Sequence, residues 1–374
     1  LPRKFKISIT GCATWCSYPE INDIGATAVR RADGTTGFHI RVGGGLSTRP
    51  RVATLLPAVV RPDQMVDVAL AVAGIFRDSS ALRTNRAKAR MKFLFLVHGW
   101  TVERFLAEVE RRIGYRLDPA EAEAIPDSHA RDHVGVHPQS QPGLFYAGFS
   151  ILSGRITPAQ LRTIADLAER HGRGRLRNTI AQNIVVLDVP RDRLAALADE
   201  ARIAGIPLDG SPLQRGTVSC TGSEFCKLAL AETKALSIAL AGELERRLPG
   251  LHEDVTLHLA GCPNSCGQHW IADVGLQGVR ISSTGSGGAA VEEDGFDIFV
   301  GGGLGEAPSF ARRVGYRAAA RQLPDVLERL FNAYLATRDP GERFQRWSAR
   351  HDARALKTIL AGANVASSDP STAA

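Results

Sequence analysis

The sequence predicts an α+β protein in which two copies of one α/β unit flank a different, smaller segment. "ITGCATWCSYPEINDIGATAVR" aligns with "LAGCPNSCGQHWIADVGLQGVR" and places Cys12 on Cys262, an offset of 250 residues. A second block, "GFHIRVGGGLS", aligns with "GFDIFVGGGLG" and places Gly43 on Gly301, an offset of 258 residues. Cysteines, glycines and an Asp-x-Gly shared in the same order indicate that one folding unit was duplicated.

Each copy is predicted to contain a hairpin followed by helices. The eight residues by which the offsets differ (258 − 250) lie in "SSTGSGGAAVEEDG", and this glycine-rich stretch predicts a lengthened hairpin loop in the second copy. Amphipathic, basic helical patterns follow the glycine blocks at 62–77 and 81–114 in the first copy and at 316–360 in the second. We therefore assign residues 1–125 to the first repeat and residues 209–360 to the second.

The segment between the copies has another pattern. "GLFYAGFSIL" predicts a strand, and "TPAQLRTIADLAERHG" predicts a helix with Thr157 as N-cap and Pro158 at its first position. "GRLRNTIAQNIVVLDV" predicts a second strand and "PRDRLAALADEARIAG" a second helix. This order over residues 140–208 is half of a ferredoxin-like arrangement, which leaves a sheet edge in need of a partner. Residues 126–139 are predicted as a polar linker and 361–374 as a disordered tail.

Composition narrows the class of protein. With 44% hydrophobic and 23% charged residues, the 374-residue chain is typical of soluble globular proteins, and it has no apolar run long enough for a membrane span. Its six cysteines fall in three short motifs, which indicates ligand chemistry in a reducing, cytoplasmic compartment. The net charge of +7 favours an acidic partner. Nucleic acid is not predicted, because no recognition motif is present and aromatics are only 6%.

Four cysteines predict an iron–sulfur site. Cys220 and Cys226 are separated by five residues, and Cys262 and Cys266 by three. Structural zinc sites favour spacings of two to four residues, so the first pair is too loose for a zinc knuckle. A cluster is larger, and a longer loop can reach around it. Buried structural thiols are the remaining alternative. Cys12 and Cys16 lack an accompanying upstream pair, which favours a remnant of the duplication over a second metal site.

The motifs resemble those of a known family. "CTGSEFCKLALAETK" and "GCPNSCGQHWIADVGLQG" are similar to the cluster-binding motifs of the sirohaem-containing nitrite and sulfite reductases. "LPRKFK", "VGGGLSTRP" and "NRAKARMKFL" match motifs of that family's first half, so the resemblance extends over residues 1–350. It implies a pseudo-twofold pair of sirohaem-reductase repeats and a [4Fe–4S] cluster on Cys220, Cys226, Cys262 and Cys266. It also implies that Cys266 bridges the cluster to the iron of a sirohaem.

The resemblance further implies roles for basic residues. "LPRKFK" alternates as the start of a strand would, which places Lys4 and Lys6 on one face. By resemblance these lysines bind the anionic substrate and help to deliver protons, and Arg3 meets sirohaem carboxylates. The alternative is a solvated basic strand end. Further arginines are predicted to pair with the cofactor's carboxylates, since guanidinium groups bind carboxylates in bidentate fashion; they are Arg49, Arg51, Arg175 and Arg177.

The implied reaction is the six-electron reduction of sulfite to sulfide or of nitrite to ammonia. The cysteine motifs are similar to the nitrite-reducing branch, whereas nitrite enzymes usually carry Asn at the position of Lys6. A further ammonium favours sulfite, which is largely a dianion near neutral pH, and we predict sulfite on that ground. The predicted electron donor is a small acidic ferredoxin, because the chain is basic and has no dinucleotide-binding motif.

Two other functions stay open at this point. A precorrin-3B synthase-like enzyme of cobalamin synthesis shares the fold and cluster motifs. Its relatives, however, match the positions of Lys4 and Lys6 less often. A non-catalytic iron–sulfur fragment or subunit is the other. The family's N-terminal ferredoxin-like half does not precede "LPRKFK" in this sequence. We expect a longer protein or a partner to supply it.

Overall fold

The computed structural model describes residues 1–120, 122, 125, 132–206, 208–284 and 290–362. The chain divides into two compact units: unit 1 is Leu1–Arg131 with Leu304–Pro308, and unit 2 is Asp132–Gly303 with Ser309–Ala374. Residues 126–131 of the predicted linker and residues 363–374 of the predicted tail lie outside the described residues. Within those residues, no helix is long and apolar enough to cross a membrane.

Unit 1 contains one mixed sheet with helices on it. Its strands, in sheet order, are β1 (Ile7–Thr10), β2 (Ile24–Arg30), β3 (Thr36–Val42), β4 (Thr54–Val60) and β5 (Asp118–Pro119). The helices are α1 (Met65–Asp78), α2 (Lys92–Leu96) and α3 (Val102–Ile113). Strand β1 runs parallel to β2 and the remaining pairs are antiparallel. Val72 and Phe76 of α1 and Phe105 of α3 are fully buried in the same core as Ile40 and Leu56 of the sheet.

The helical pattern at 81–114 is interrupted in the structure. Helix α3 begins after Thr101, whose hydroxyl oxygen accepts a hydrogen bond from the Arg104 N–H at 3.2 Å. Just before that cap, Gly99 has a positive φ of 63°, a conformation that a continuous helix excludes. The cap and this glycine explain why one predicted helical stretch became α2 and α3.

The middle segment forms a four-stranded sheet covered by two helices. Its elements are β6 (Gly135–Pro138), β7 (Leu144–Phe149), α4 (Pro158–His171), β8 (Leu176–Asn178), β9 (Ile184–Pro190) and α5 (Leu194–Ile203), with strand order β6-β7-β9-β8. Thr157 and Gln160 form the capping box at the start of α4. The second predicted strand is instead the β8–β9 hairpin, because Gln182 in the turn has a φ of 66°. Strand β6 lies within the stretch predicted as a linker and pairs antiparallel with β7.

The second repeat occupies the rest of unit 2. Its elements are α6 (Pro212–Gly216), β10 (Thr217–Ser219), α7 (Gly222–Phe225), α8 (Lys234–Arg247), β11 (Leu257–Ala260), β12 (Val274–Thr284), β13 (Ala290–Val300), β14 (Arg312–Ala319), α9 (Leu323–Thr337), α10 (Phe344–Ala349) and α11 (Ala353–Ala361). The strands follow chain order in the sheet. The predicted helical stretch 316–360 is wrong at its start, where residues 316–319 belong to β14. Exposed Gly315 and Arg317 alternate with the more buried residues between Val314 and Ala318, as in a strand.

The duplication is confirmed in backbone detail. Parallel pairing aligns Ile7 with Ile24 in the first copy and Leu257 with Val274 in the second, at the same offset of 250 residues. The antiparallel bridge between Gly45 and Arg51 likewise recurs between Gly303 and Ser309. Strands β1 to β4 are therefore equivalent to β11 to β14; the first copy adds β5 at one edge of its sheet, and the second copy adds β10 at the opposite edge.

The eight additional residues lengthen the strands of the second hairpin. In the first copy the ladder between β2 and β3 ends where Arg30 faces Thr36. The equivalent pair in the second copy, Arg280 and Asp294, is followed by further pairs out to Thr284 and Ala290. The insertion was predicted as loop, but it extends both strands, and the remaining residues 285–289 lie outside the described part of the chain.

Candidate functional site

Strand topology brings the two cysteine pairs of unit 2 together. Strands β10 and β11 are parallel neighbours, with Ser219 aligned on Leu259. Cys220 directly follows β10, and Cys262 lies two residues beyond β11. The Cys220 N–H donates to the Leu259 carbonyl at 3.0 Å, which extends the ladder into the cysteine loop. Because both strands run the same way, the first cysteine of each pair lies at the same edge of the sheet.

Backbone N–H groups point at the sulfur of Cys220. The N–H of Gly261 donates to it at 3.1 Å and that of Gly222 at 3.4 Å. Gly261 immediately precedes Cys262, so this hydrogen bond ties one cysteine pair to the other. N–H donors of this kind stabilise a thiolate and tune a cluster that it ligates.

A one-turn helix returns the chain to Cys226. The Cys226 N–H donates to the carbonyl of Gly222 at 3.0 Å at the end of α7. Gly222 has a φ of 62°, and a Cβ there would lie 2.6 Å from the Thr233 hydroxyl oxygen and 2.7 Å from its backbone nitrogen. Only glycine fits this position without displacing Thr233, whose hydroxyl donates to the carbonyl of Cys220 at 2.7 Å. The seven-residue motif from Cys220 to Cys226 therefore depends on this glycine for its tight turn.

The second pair lies on a tight loop with two left-handed residues. The Ser265 N–H donates to the Cys262 carbonyl at 3.2 Å, and the Gln268 N–H donates to the Ser265 carbonyl at 3.0 Å. Ser265 and Gln268 have φ values of 58° and 62°. The loop buries Cys262 and leaves Cys266 exposed. Burial raises the pKa of Cys262, and interaction with the sulfurs of the other three cysteines raises it further, so all four lie within electrostatic range.

The donor set fits a cluster better than a single ion. The four donors are all cysteine sulfurs, one pair of which spans five intervening residues. Thiolates are the usual ligands of iron–sulfur clusters, and structural zinc sites favour shorter spacings. Several buried polar atoms next to the cysteines have no hydrogen-bond partner in the described structure: Ser265 Oγ, Gln268 Oε1 and both ring nitrogens of His269. Unpaired buried groups of this kind are expected around a polar group that is bound there.

Lys234 is a residue of this site that the sequence analysis did not single out. Its ammonium donates to the Ser219 carbonyl at 3.1 Å and also to the Ser153 carbonyl. Gln182 reaches the same Ser219 carbonyl through its amide at 2.8 Å, so the β8–β9 turn is fastened to the strand that leads to Cys220. Burial lowers the pKa of Lys234, and the negative charge of Cys220 opposes that shift. The sequence could have indicated this residue, because Lys234 is the last residue of the motif "CTGSEFCKLALAETK".

A second site, in unit 1, gathers positive charge around Asp23. The buried carboxylate of Asp23 accepts hydrogen bonds from the Lys6 N–H and from Arg90 Nη2, both at 2.9 Å. The Lys6 ammonium donates to the carbonyl of Ile21 at 3.0 Å. Burial raises the pKa of Asp23, and the charges of Arg90 and Lys6 oppose it. The side chain of Lys6 is therefore anchored beside a buried ion pair.

Lys92 extends this cationic cluster, which we define as Lys6, Arg90 and Lys92. Its ammonium donates to the carbonyls of Leu46 and Arg49. Burial and the positive charge of Arg90 together lower the pKa of Lys92 to about 8. Arg90 and Lys92 were missed as site residues, although both lie in the motif "NRAKARMKFL".

The segment "LPRKFK" is not part of a strand, so the predicted alternation is wrong. Strand β1 begins at Ile7, because the N–H of Lys6 is bonded to the Asp23 side chain and the ring of Phe5 stacks on Phe76 at 5.6 Å. Lys4 is exposed. Arg3 donates to the Arg86 carbonyl at 3.0 Å. Each of these residues belongs to unit 1, whereas the four cysteines belong to unit 2.

The four predicted sirohaem arginines differ in their surroundings. Arg49 is exposed, with its guanidinium 5.9 Å from the Phe93 ring. The guanidinium of Arg51 makes its hydrogen bonds within unit 1, where it donates to the carbonyls of Val42 and Gly43 and to the Thr54 hydroxyl. On or next to the edge strand β8, Arg175 pairs with Asp188 at 2.9 Å, and the exposed Arg177 donates to the Leu176 carbonyl.

Asp273 is expected to make the stability of the fold depend on pH. It is buried, and desolvation raises its pKa to about 6 although Thr256 donates two hydrogen bonds to it. A carboxyl whose pKa rises on folding stabilises the fold in its protonated form, so this contribution is complete below pH 4 and disappears as pH rises through about 6. We expect the free energy of unfolding to fall by about 3 kcal/mol across that window through this group. Between pH 4.5 and 6.5, where urea unfolding is measured, about 2 kcal/mol of this fall should be seen, and Asp273→Asn should remove it.

The control for this prediction is Asp254→Asn, which changes a half-exposed carboxylate of the same unit. That variant should keep the pH dependence of the unmodified protein. An Asp273→Asn protein whose stability still falls over the same window would show that another group is responsible.

The four-cysteine site on a duplicated sheet places the chain among the iron–sulfur proteins. A family model described as "Nitrite and sulphite reductase 4Fe-4S domain" matches residues 1–117 and 211–361. A second, "Nitrite/Sulfite reductase ferredoxin-like half domain", matches residues 137–202. The chain belongs to the nitrite and sulfite reductase family, as its motifs predicted. Membership supports the predicted [4Fe–4S] cluster and sirohaem.

Several known proteins are similar over most of the chain. An assimilatory ferredoxin-dependent nitrite reductase of Haloferax mediterranei is 38% identical, over 93% of this chain and 61% of the relative. Sulfite reductase [ferredoxin] 1 of Mycolicibacterium paratuberculosis is also 38% identical, over 96% of this chain and 63% of the relative. The solved structure of the NirA protein of Mycobacterium tuberculosis superposes with a TM-score of 0.87 at 35% identity, covering 95% of this chain and 64% of that one. The structural match confirms the predicted fold class, and the chain spans less than two thirds of these relatives' length.

Proposed function

We propose that this chain forms the cluster-bearing part of an enzyme that reduces sulfite to sulfide or nitrite to ammonia by six electrons. The observation that carries the proposal is that the parallel strands β10 and β11 lead to Cys220 and to Cys262, with the Gly261 N–H bonded to the Cys220 sulfur and a second cysteine on each loop. The comparisons support the class of reaction, because relatives named for nitrite and for sulfite reduction are equally similar at 38% identity.

The four cysteines would hold the [4Fe–4S] cluster. We assign Cys266 as the ligand shared with the sirohaem iron, because it is exposed whereas Cys262 is buried. When bound, the coupled cofactors supply electrons one at a time to a single anion. The N–H groups of Gly222 and Gly261 would hold the Cys220 thiolate in position, and the charge of Lys234 would stabilise it.

Basic side chains of unit 1 would attract and protonate the substrate. Arg90 pairs with the buried carboxylate of Asp23, and the ammonium groups of Lys6 and Lys92 interact with the same carboxylate electrostatically. Three positive charges against one negative charge favour an anion. We assign substrate binding to Lys4 and Lys6 and cofactor-carboxylate binding to Arg3, Arg49, Arg175 and Arg177. Arg51 is left out, because its partly buried guanidinium makes three hydrogen bonds within unit 1, whereas Arg49, Arg175 and Arg177 are exposed.

A small acidic ferredoxin is the proposed electron donor. The chain has a net charge of +7, and long-range attraction between a basic protein and an acidic carrier speeds their association. The names of the two relatives cited above, which refer to ferredoxin, support the same donor.

Anaerobic reconstitution with iron, sulfide and sirohaem tests the proposal. The absorption spectrum should show both cofactors, and reduced methyl viologen should drive the formation of sulfide or ammonia. A cluster spectrum without sirohaem bands would overturn the enzyme assignment for this chain and favour a non-catalytic iron–sulfur subunit. Bound sirohaem without turnover of either anion would overturn the proposed reaction.

Lys6→Asn tests the preference for sulfite. Removing one ammonium weakens the attraction of a dianion more than that of a monoanion, and at about 1 kcal/mol of difference the ratio of sulfite to nitrite kcat/KM should fall about fivefold. The measurement is steady-state kinetics with both anions. Lys88→Asn removes an equal charge from an exposed position of the same unit and should leave the ratio unchanged. An unchanged ratio in Lys6→Asn would refute the substrate argument.

A further inference from the structure

Cys12 and Cys16 lie on a loop with the same backbone conformation as the loop of Cys262 and Cys266. The Trp15 N–H donates to the Cys12 carbonyl at 3.3 Å, and the Tyr18 N–H donates to the Trp15 carbonyl at 2.9 Å. Trp15 and Tyr18 both have a φ of 50°, as Ser265 and Gln268 have left-handed values at the equivalent positions. The duplication has therefore kept the whole cysteine loop in the first copy, in addition to its two cysteines.

The two sulfurs of this loop are in contact. Cys12 Sγ and Cys16 Sγ are 3.2 Å apart, and both side chains are partly exposed. The hydroxyls of Thr10 and Thr14 each lie 3.3 Å from the sulfur of Cys12. Two hydroxyls and a second thiol thus surround one sulfur that solvent can reach.

This surrounding favours thiol chemistry over metal binding. Across the described part of the chain, no third His, Cys, Asp or Glu joins the pair to make a set of metal ligands. A disulfide bond is about 2.05 Å long, so the two sulfurs need to approach by only about 1 Å to form one. The loop that offers ligands to a cluster in the second copy offers a pre-formed dithiol in the first.

We propose that Cys12 and Cys16 form a reversible intramolecular disulfide by exchange with a small-molecule disulfide of the glutathione type. The Cys12 thiolate attacks one sulfur of the external disulfide, so that a mixed disulfide forms and one glutathione thiolate leaves. The Cys16 thiol then loses its proton and attacks the Cys12 sulfur, which releases the second glutathione. Two protein thiols are oxidised, one external disulfide is reduced to two thiols, and the protons pass to the released thiolates.

The electrostatics of the loop agree with Cys12 as the attacking group. The hydrogen bond from Cys16, together with those from the hydroxyls of Thr10 and Thr14, outweighs the opposing effect of burial and lowers the pKa of Cys12 to about 3. The thiolate is the reactive form of cysteine, so Cys12 is charged and available at neutral pH. The proposal is independent of the proposed reduction of sulfite or nitrite, because it uses residues outside the four-cysteine site.

One tryptic digest separates the three cysteine pairs of the chain. Trypsin cleaves after Lys and Arg, so Cys12 and Cys16 fall in peptide 7–30, Cys220 and Cys226 in 216–227, and Cys262 and Cys266 in 248–280. The reconstituted protein is equilibrated without oxygen at a series of ratios of oxidised to reduced glutathione. It is then quenched in acid, denatured, alkylated and digested for mass spectrometry.

The expected result is one transition in peptide 7–30. It should pass from the doubly alkylated form to a form that carries no alkyl group and has lost two hydrogens, about 2 Da. Returning the protein to reduced glutathione should restore double alkylation. Peptide 7–30 doubly alkylated at every ratio, or carrying glutathione on both cysteines instead of an internal bond, would overturn the proposal.

Single variants identify the attacking sulfur. Cys16→Ser should trap the intermediate as a glutathione adduct on Cys12, because no second thiol can resolve it. Cys12→Ser should form the corresponding adduct on Cys16 at least tenfold more slowly, since Cys16 then lacks the two hydroxyls that lie against Cys12. Equal rates in the two variants, or no adduct in Cys16→Ser, would contradict the assigned order of attack.

Discussion

Cys262→Ser is expected to lose the iron–sulfur cluster and, with it, more than about 99% of reductase activity. Cys262 is a buried thiol two residues beyond β11, and burial, together with interactions with the other three site cysteines, raises its pKa. Iron–sulfur clusters are held by thiolates, and the serine hydroxyl that replaces this one does not ionise near neutral pH. The measurements are iron and sulfide content after reconstitution, the visible absorption spectrum, and methyl-viologen-driven turnover.

The duplicated loop supplies the matched control. Cys12 occupies the position equivalent to Cys262, with the same backbone turn and an adjacent partner cysteine. Cys12→Ser should retain the full iron content and the activity of the unmodified protein. Equal iron in the Cys262→Ser protein would show that this thiol is not a ligand, and loss of iron in Cys12→Ser would show that the first loop also takes part.

The sequence predicted those parts of the fold that depend on repeated glycines and cysteines. Gly25 and Gly275 explain why, because a Cβ on either would lie about 2 Å from a backbone carbonyl oxygen, that of Pro19 or that of His269 (2.2 and 2.0 Å). A position with this constraint keeps its residue type in both copies, so the repeat stays visible.

Side-chain bonds between distant residues were not predictable from local pattern. The strand expected at "LPRKFK" is absent because the N–H of Lys6 bonds to Asp23, a residue 17 positions later. In the same way, Arg90 reaches Asp23 across 67 positions of sequence. Periodicity describes which face of an element is apolar, and it does not show which buried carboxylate a cation meets. The cationic cluster therefore required the structure.

Gly267→Ala is expected to prevent formation of the cysteine site altogether. A Cβ at this position would lie 1.9 Å from the carbonyl oxygen of Leu259 and 3.1 Å from the backbone nitrogen of Cys220. Those two atoms are the partners of the hydrogen bond that continues the β10–β11 ladder into the first cysteine motif. The strands must separate or the loop must move, and either displaces Cys220 relative to the second pair. Backbone clashes of this size cost several kcal/mol, since neither partner is a flexible side chain.

The expected measurements are a midpoint of chemical unfolding lower than that of the unmodified protein and the absence of cluster absorption after reconstitution. Gly242→Ala is the matched control, because Gly242 lies in α8 of the same unit and a Cβ there would have no atom within 4 Å. The free energy of unfolding of that variant should rise by up to about 1 kcal/mol, because alanine has a higher helix propensity than glycine. The variant should bind the cluster normally. A Gly267→Ala protein with full cluster content would mean that the loop can move without displacing its thiols. The close packing of Gly267 on Leu259 would then be dispensable for the site.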